Sequence, residues 1–285
     1  MKKIDCGKKS REEKLMKKSR MILIIILIAI IMALGILSFG PGASQRIDIV
    51  GSTSVQPVAE KLVEEYKISH PDVKINVQGG GSSLGIKTVH DGIADIGMSS
   101  KELDSSGKEG ISEYEIGKDG IVVAVNVKNN VSDLTKSQLK DIFSGKITNW
   151  REVGGNDGEI HIVCREAGSG TLNAFEDIVM GDTKIKSDAI VQSSTEAVKQ
   201  SVKQDENAIG FVSFAHVSDD VKTLNIGGVT PGNETIADGS YELQRPFLFI
   251  VKGNPSGELK KFIDWTGGSE AQKIIEEEKI IKSTE

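Results

Sequence analysis

Apolar and polar positions along residues 46–280 follow two rhythms. Short runs dominated by Ile, Val and Phe fall at 47–50, 74–78, 94–98, 121–127, 160–163, 208–214 and 246–251, and they predict strands. Between them lie stretches with a helical period. Val58, Leu62, Val63 and Tyr66 share one helix face, as a 3.6-residue period requires. Thr135 with Gln138, and Ser193 with Glu196, have the spacing of a capping box and predict two helix starts. Residues 256–265 and 269–278 read as terminal helices. Strands alternating with helices predict an α/β fold, with largely parallel sheets covered on both faces. About 240 residues is large for one such core and comfortable for two lobes.

The segment before this region follows neither rhythm. Residues 21–37 read MILIIILIAIIMALGIL, with no polar face. With Ser38 and Phe39 they would span about 28 Å as a helix at ~1.5 Å per residue, enough to cross a bilayer's hydrocarbon core. A basic run precedes them, which keeps the N-terminus inside and places the rest of the chain outside. The expected order is therefore a cytoplasmic basic segment (1–20), a transmembrane anchor or signal segment (21–39) and a linker (40–45). The expected location is the cell membrane with the following domain outside, or secretion if the segment is cleaved. An uncleaved anchor is preferred, because the basic region is long for a signal peptide and residues 40–43 match a small-x-small cleavage site poorly. Cys6 and Cys164 then lie on opposite sides of the membrane and cannot pair.

Charge divides along the same line. The net charge is −6, yet residues 1–20 carry +6 and residues 21–45 carry none, so the remainder carries −12. An acidic domain without a basic stripe excludes nucleic acid as a partner. One exported cysteine and four scattered histidines give no metal-ligand spacing, so neither a metal nor a cofactor is expected.

Three segments place Gly and hydroxyl residues between a strand and a helix: 51–54 (GSTS), 79–83 (GGGSS) and 168–171 (GSGT). Backbone N–H groups and hydroxyls at a helix N-terminus, where the dipole is positive, form an anion site. Ordinary caps and turns would account for any one of them. Ser54 is a good cap for the first helix, whose opening turn Pro57 suits. The third segment follows Arg165, whose planar fork suits oxyanions, although Glu166 beside it offers an ordinary ion-pair partner. Two enzymatic patterns compete. Residues 81–85 (GSSLG) fit the nucleophile-elbow pattern around Ser83, but none of His90, His161 and His216 lies in a motif that ties it to an acid. Residues 80–88 miss the phosphate-binding P-loop, because Ile86 intrudes before Lys87.

The chain resembles the phosphate-binding proteins of ABC transporters, members of the two-lobed periplasmic-type solute-binding superfamily. The resemblance covers residues 46–280 and rests on GSTSVQP (51–57), GGGSSLG (79–85), ADIGMSS (94–100), LKDIFSGKITNW (139–150), REAGSGT (165–171), AIGFVSFAHV (208–217) and RPFLFIVKGNP (245–255). It implies a type II periplasmic-binding-protein-like fold. One lobe would be 46–122 plus 245–285 and the other 123–244, with crossovers near 122–126 and 241–249. It also implies a monomer that holds inorganic phosphate in the interlobe cleft and delivers it to membrane permease subunits driven by an ATPase. Thr53, Ser54 and Ser82 match the ligands of one lobe, and Arg165, Ser169, Gly170 and Thr171 those of the other, with Ser83 and Gly168 in support. Ser100 stands where the family pattern has an aspartate that accepts the phosphate's own proton. This departure weakens discrimination against sulfate, and Glu102 and Glu166 are candidates for the missing acceptor. Another oxyanion, sulfate or tungstate, is the alternative ligand, and a serine hydrolase using Ser83 the remote one.

Overall fold

A computed structural model describes residues 46–282; the expectations for segments 1–20, 21–39 and 40–45, and for Cys6, lie outside the described residues. Among the described residues, no helix is long and apolar enough to cross a membrane.

The first half of the fold runs β1 (Arg46–Gly51), α1 (Gln56–Ser69), β2 (Lys74–Gly79), α2 (Ser82–His90), β3 (Ile96–Ser99) and β4 (Ile111–Val125). There follow β5 (Asp133–Leu134), α3 (Lys136–Phe143), β6 (His161–Arg165), α4 (Gly170–Phe175), β7 (Ile190–Gln192), α5 (Thr195–Gln204), β8 (Ala208–Ser213), β9 (Lys222–Thr223), β10 (Asn225–Ile226) and α6 (Asn233–Ala237). The chain ends through β11 (Gln244–Lys252), α7 (Gly257–Thr266) and α8 (Ser269–Glu277).

Eight strands form one path in the order β2-β1-β3-β11-β4-β8-β6-β7, with β9 added against β4. The pairs β1–β2, β1–β3, β6–β7 and β6–β8 are parallel, as strand–helix alternation predicts. The centre of the sheet departs from that expectation. There β11 runs antiparallel to both β3 and β4, and β4 antiparallel to β8. The cause is β4, which is more than twice as long as the run 121–127 suggests. Its first part (ISEYEIGKDG) alternates exposed charges with inward side chains and contains two glycines, so it lacks the dense apolar signature of a buried strand. Residues 111–120 pair with β11 and residues 121–125 with β8.

Two large apolar clusters flank this central pair. One holds Ile47, Ile49, Leu62, Tyr66, Phe247, Phe249 and Phe262. The other is drawn from residues 121–243 with Ile281, and is centred on Phe143, Phe175 and Phe211. Phe175 and Phe211 stack with centroids 4.2 Å apart. The predicted start of α3 is present in full: the Thr135 hydroxyl accepts from the Gln138 N–H, and the Gln138 side chain reaches back to the Thr135 N–H. The other predicted box is displaced by one residue, because Ser194 rather than Ser193 caps α5 and accepts from the Ala197 N–H.

Candidate functional site

The loops after β1, β2 and β3 meet those after β6 and β7 at one end of the sheet, since parallel strands deliver their following segments to the same edge. Every sequence-predicted site residue lies in this region.

The β1–α1 loop supplies Ser52, Thr53 and Ser54. Ser54 is buried, but it is not the cap of α1: Val55 occupies that position without a side-chain cap bond. The Ser54 hydroxyl instead lies 2.9 Å from both Thr171 Oγ1 and Thr195 Oγ1, residues of the opposite half of the chain. Thr53 Oγ1 accepts from Arg165 Nη2 at 3.2 Å and from the Thr195 N–H at 3.3 Å. Two hydroxyl residues separated from their partners by more than a hundred positions therefore close the site across its two sides.

The glycines of the first two loops have a different job from the one their pattern suggests. The N–H groups of Gly80 and Gly81 both donate to Gly51 O, and the Ser52 N–H donates to Met98 O. These donors tie β1, β2 and β3 loops together and are not free for an anion. Gly81 adopts φ +90°, in the region that favours glycine, and a Cβ there would lie 3.1 Å from Gly168 O. Ser82 is fully buried, whereas Ser83 is exposed at the rim, its N–H donating to Gly168 O at 3.1 Å. Ser100 is fully buried: its hydroxyl accepts from Ser52 Oγ at 2.8 Å and lies 3.3 Å from Ser82 Oγ, and its N–H donates to Ser82 Oγ at 3.0 Å.

From the other side, β6 ends on Arg165, only 2% exposed. Its Nε and Nη2 donate to the two carboxylate oxygens of Glu166, both at 2.9 Å, and Nη1 donates to Thr195 Oγ1 at 3.1 Å. The neighbouring carboxylate thus fixes the fork, and the remaining edge faces the first loop. Ser169 caps α4 by accepting from the Leu172 N–H. The first-turn N–H groups of Gly170 and Thr171 have no intrahelical acceptor. A Cβ at Gly170 would come within 2.2 Å of Ser82 Oγ and 2.6 Å of Ser100 Oγ, so only glycine lets the two sides approach this closely.

Beneath these loops lies a buried ion pair that the motifs did not reveal. Arg245 of β11 donates through Nε and Nη2 to Asp119 Oδ2, and through Nη1 to Ser100 O at 3.3 Å; Asp119 Oδ1 accepts from Ser213 Oγ at 2.7 Å. Burial pushes the Asp119 carboxyl up from its ordinary value, opposed by the Arg245 charge and the Ser213 hydroxyl. Thr195 is absent from the sequence-predicted set, Ser52 enters it only as part of the 51–54 loop, and His216 only as a hydrolase candidate. The only sequence trace of Thr195 is the hydroxyl-rich start of α5 (Ser193, Ser194, Thr195). The His216 ring nitrogen Nε2 lies 3.2 Å from Ser54 O, and burial pushes its pKa down to about 4.

The hydrolase reading fails on geometry. His90 is paired with the Gly107 carbonyl, His161 with Asp205 and His216 with the Ser54 carbonyl, so none of the three hydrogen-bonds to Ser83. Glu102 lines a groove of about 490 Å³ beside β4 and β11, with Lys108, Glu113 and Lys118. Glu166, the other candidate acceptor, is engaged by Arg165. Among the described residues no group of His, Cys, Asp and Glu could hold a metal ion.

Comparison with known proteins bears on the whole arrangement. The family model described as the PBP superfamily domain matches residues 40–270. The phosphate-binding protein PstS of Bacillus subtilis (strain 168) is 34% identical over 239 residues, covering 82% of this chain and 79% of the relative. Among solved structures, a putative phosphate ABC transporter substrate-binding protein with bound phosphate from Clostridium perfringens is 41% identical, with a TM-score of 0.82, over 84% of this chain and 100% of that one. An ABC-type phosphate transport receptor from Vibrio cholerae is 37% identical, with a TM-score of 0.71, over 83% and 100%. The chain belongs to the PBP superfamily and, within it, to the PstS family.

Proposed function

We propose that this protein binds inorganic phosphate outside the cytoplasm and delivers it to an ABC-type permease, making and breaking no bond. The observation that carries the reading is the meeting of Thr53, Ser54, Ser82 and Ser100 with Arg165, Gly170, Thr171 and Thr195 at one buried point. Each hydrogen bond to a charged ligand contributes about 1.5–3 kcal/mol, and a tetrahedral oxyanion has enough lone pairs to engage most of these donors at once. The acidic background opposes capture weakly, because exposed charges are screened beyond ~8 Å.

Lobes at 46–122 plus 245–285 and at 123–244 close around the ligand in this reading. It is supported by the two apolar clusters and by hydrogen bonds that join Thr53 and Ser54 of the first segment to Arg165, Thr171 and Thr195 of the second. Residues 21–39 hold the domain at the membrane, where the permease would meet it; their apolar length and the basic run before them support this.

Isothermal titration of the full chain in detergent tests the ligand. Phosphate should give saturable heat, and Arg165→Ala and Ser82→Ala should each weaken it severely, although they sit on opposite sides. Heat with molybdate and none with phosphate overturns the ligand assignment. Phosphate binding that survives both replacements overturns the shared cleft.

A further inference from the structure

We infer that the groove between α2 and the segment 101–107 is a capture station for the oxyanion, where phosphate is held at the rim of the cleft before it enters. This rests on the phosphate reading above and concerns the route by which the ligand arrives. The groove has a volume of about 240 Å³, with Ser83, Lys87 and His90 on one wall and Lys101, Asp104 and Ser106 on the other.

Residues four and seven positions beyond Ser83 share its helix face, so the first wall runs along α2 from its opening turn to its end. Ser83 itself is exposed and donates its N–H to Gly168 O of the opposite side. The groove therefore begins where the two sides of the cleft meet. Both walls also continue into the buried site, since Ser83 follows Ser82 and Lys101 follows Ser100. The same placement gives a use to Lys87, the lysine that the P-loop spacing misses. One turn beyond Ser83, it stands outside the buried hydroxyls with its side chain 72% exposed.

Local charge sets this place apart from the rest of the domain. Residues 46–285 carry −12, but at physiological salt an approaching ion senses exposed charges only within ~8 Å. Around the groove three lysines, Lys87, Lys101 and Lys252, meet two carboxylates, Asp91 and Asp104. Lys252 closes the far end, where its amine donates to His90 O at 2.7 Å. Asp91 pairs with Lys87 at 2.6 Å, an exposed contact of a kind that contributes about 1 kcal/mol at most and that a dianion can displace. Asp104 Oδ1 already accepts from Ser106 Oγ at 2.7 Å and from the Gly107 N–H at 2.8 Å. Lys101 makes no ion pair among the described residues, and its neighbour Glu102 lines the separate groove beside β4 and β11. A doubly charged anion therefore finds a positive excess here, with the Ser83 hydroxyl at the cleft end. Ammonium groups are flexible point charges, suited to a brief grip that fixes no orientation, whereas the planar Arg165 fork and the buried hydroxyls fix the final pose.

The test is kinetic, on the full chain in non-ionic detergent. Isothermal titration gives the phosphate dissociation constant and ³¹P magnetisation exchange the release rate; the release rate divided by the constant is the association rate. At ~0.01 M ionic strength charges act over about 30 Å. There Lys101→Gln should slow association by about threefold or more, as expected when local steering is lost, and adding Lys87→Gln should slow it further. At ~1 M salt, where the range is about 3 Å, the variants should match the parent. Lys273→Gln removes the same charge from α8, which packs on the other face of the sheet: α8 shares a cluster with Phe247 and Phe249 of β11, and α2 with Leu248 and Ile250. It should slow association clearly less than Lys101→Gln does. Equal slowing by Lys101→Gln and Lys273→Gln, or none by either, overturns the inference, as does a deficit that persists at ~1 M salt. Absence of phosphate heat in the parent overturns the phosphate reading itself.

Discussion

Arg165 has five N–H groups, and four of them already have protein acceptors: two on Glu166, one on Thr195 and one on Thr53. The fifth, on Nη1, is the part of the fork left for a ligand, and its direction depends on Thr195 holding the other Nη1 proton. Thr195→Val removes that acceptor and the partner of Ser54 while keeping shape. It should weaken phosphate binding by about 1–3 kcal/mol, about 5- to 150-fold. Thr195→Ser should restore most of it, and melting curves of the ligand-free variants should stay near the parent's; loss in Thr195→Ser without loss in Thr195→Val would show that packing of the methyl group, not the hydroxyl, matters. At this scale the sequence was legible for residues inside the loop motifs and opaque for Thr195. Its importance comes from contacts to Thr53 and Ser54 more than a hundred residues away, which no local pattern encodes. Ser54 illustrates the same limit from the other side: its position before Pro57 suits a cap, but a tertiary hydrogen bond to Thr171 outcompetes the local one.

Among the elements, β4 and β11 do most to hold the site in place. Their register puts Asp119 opposite Arg245, and the pair fastens Ser100 from below and Ser213 from the side. Two fully buried charges are costly to desolvate, and removing one partner strands the other. Asp119→Asn should therefore destabilise the protein by about 3–5 kcal/mol, read as a fall in denaturation midpoint, and should also loosen phosphate binding through Ser100. A variant as stable as the parent would show that Arg245 finds another partner. The helices were legible from their caps and apolar stripes, and so were the short buried strands. The first ten residues of β4 were not, because a strand with one charged face and two glycines lacks the apolar density that marks the others. The antiparallel centre of the sheet was hidden with them.

For the whole molecule, the order of the motifs along the chain carried more information than any one of them. The anion-site pattern in three loops, with Arg165 beside the third, pointed to an oxyanion, and the resemblance carried by the ordered motifs implied one cleft; in the structure, parallel strands bring these loops to the same edge. What the pattern misjudged was the role of the glycine N–H groups, which bind the loops to one another at Gly51 O. The two apolar clusters suggest halves that melt separately, but β4 contributes residues 111–120 to one pairing and 121–125 to the next without a break. A strand shared in this way couples its neighbours, because neither can lose its edge without exposing backbone groups of the other. Hydrogen exchange should consequently find the slowest amides at residues 121–124, exchanging only through global opening, and thermal unfolding should be a single transition. Separate melting of the segments on either side of Gly120 would refute it. The strand that crosses from one side of the cleft to the other is thus also the one that makes them live and die as a single folding unit.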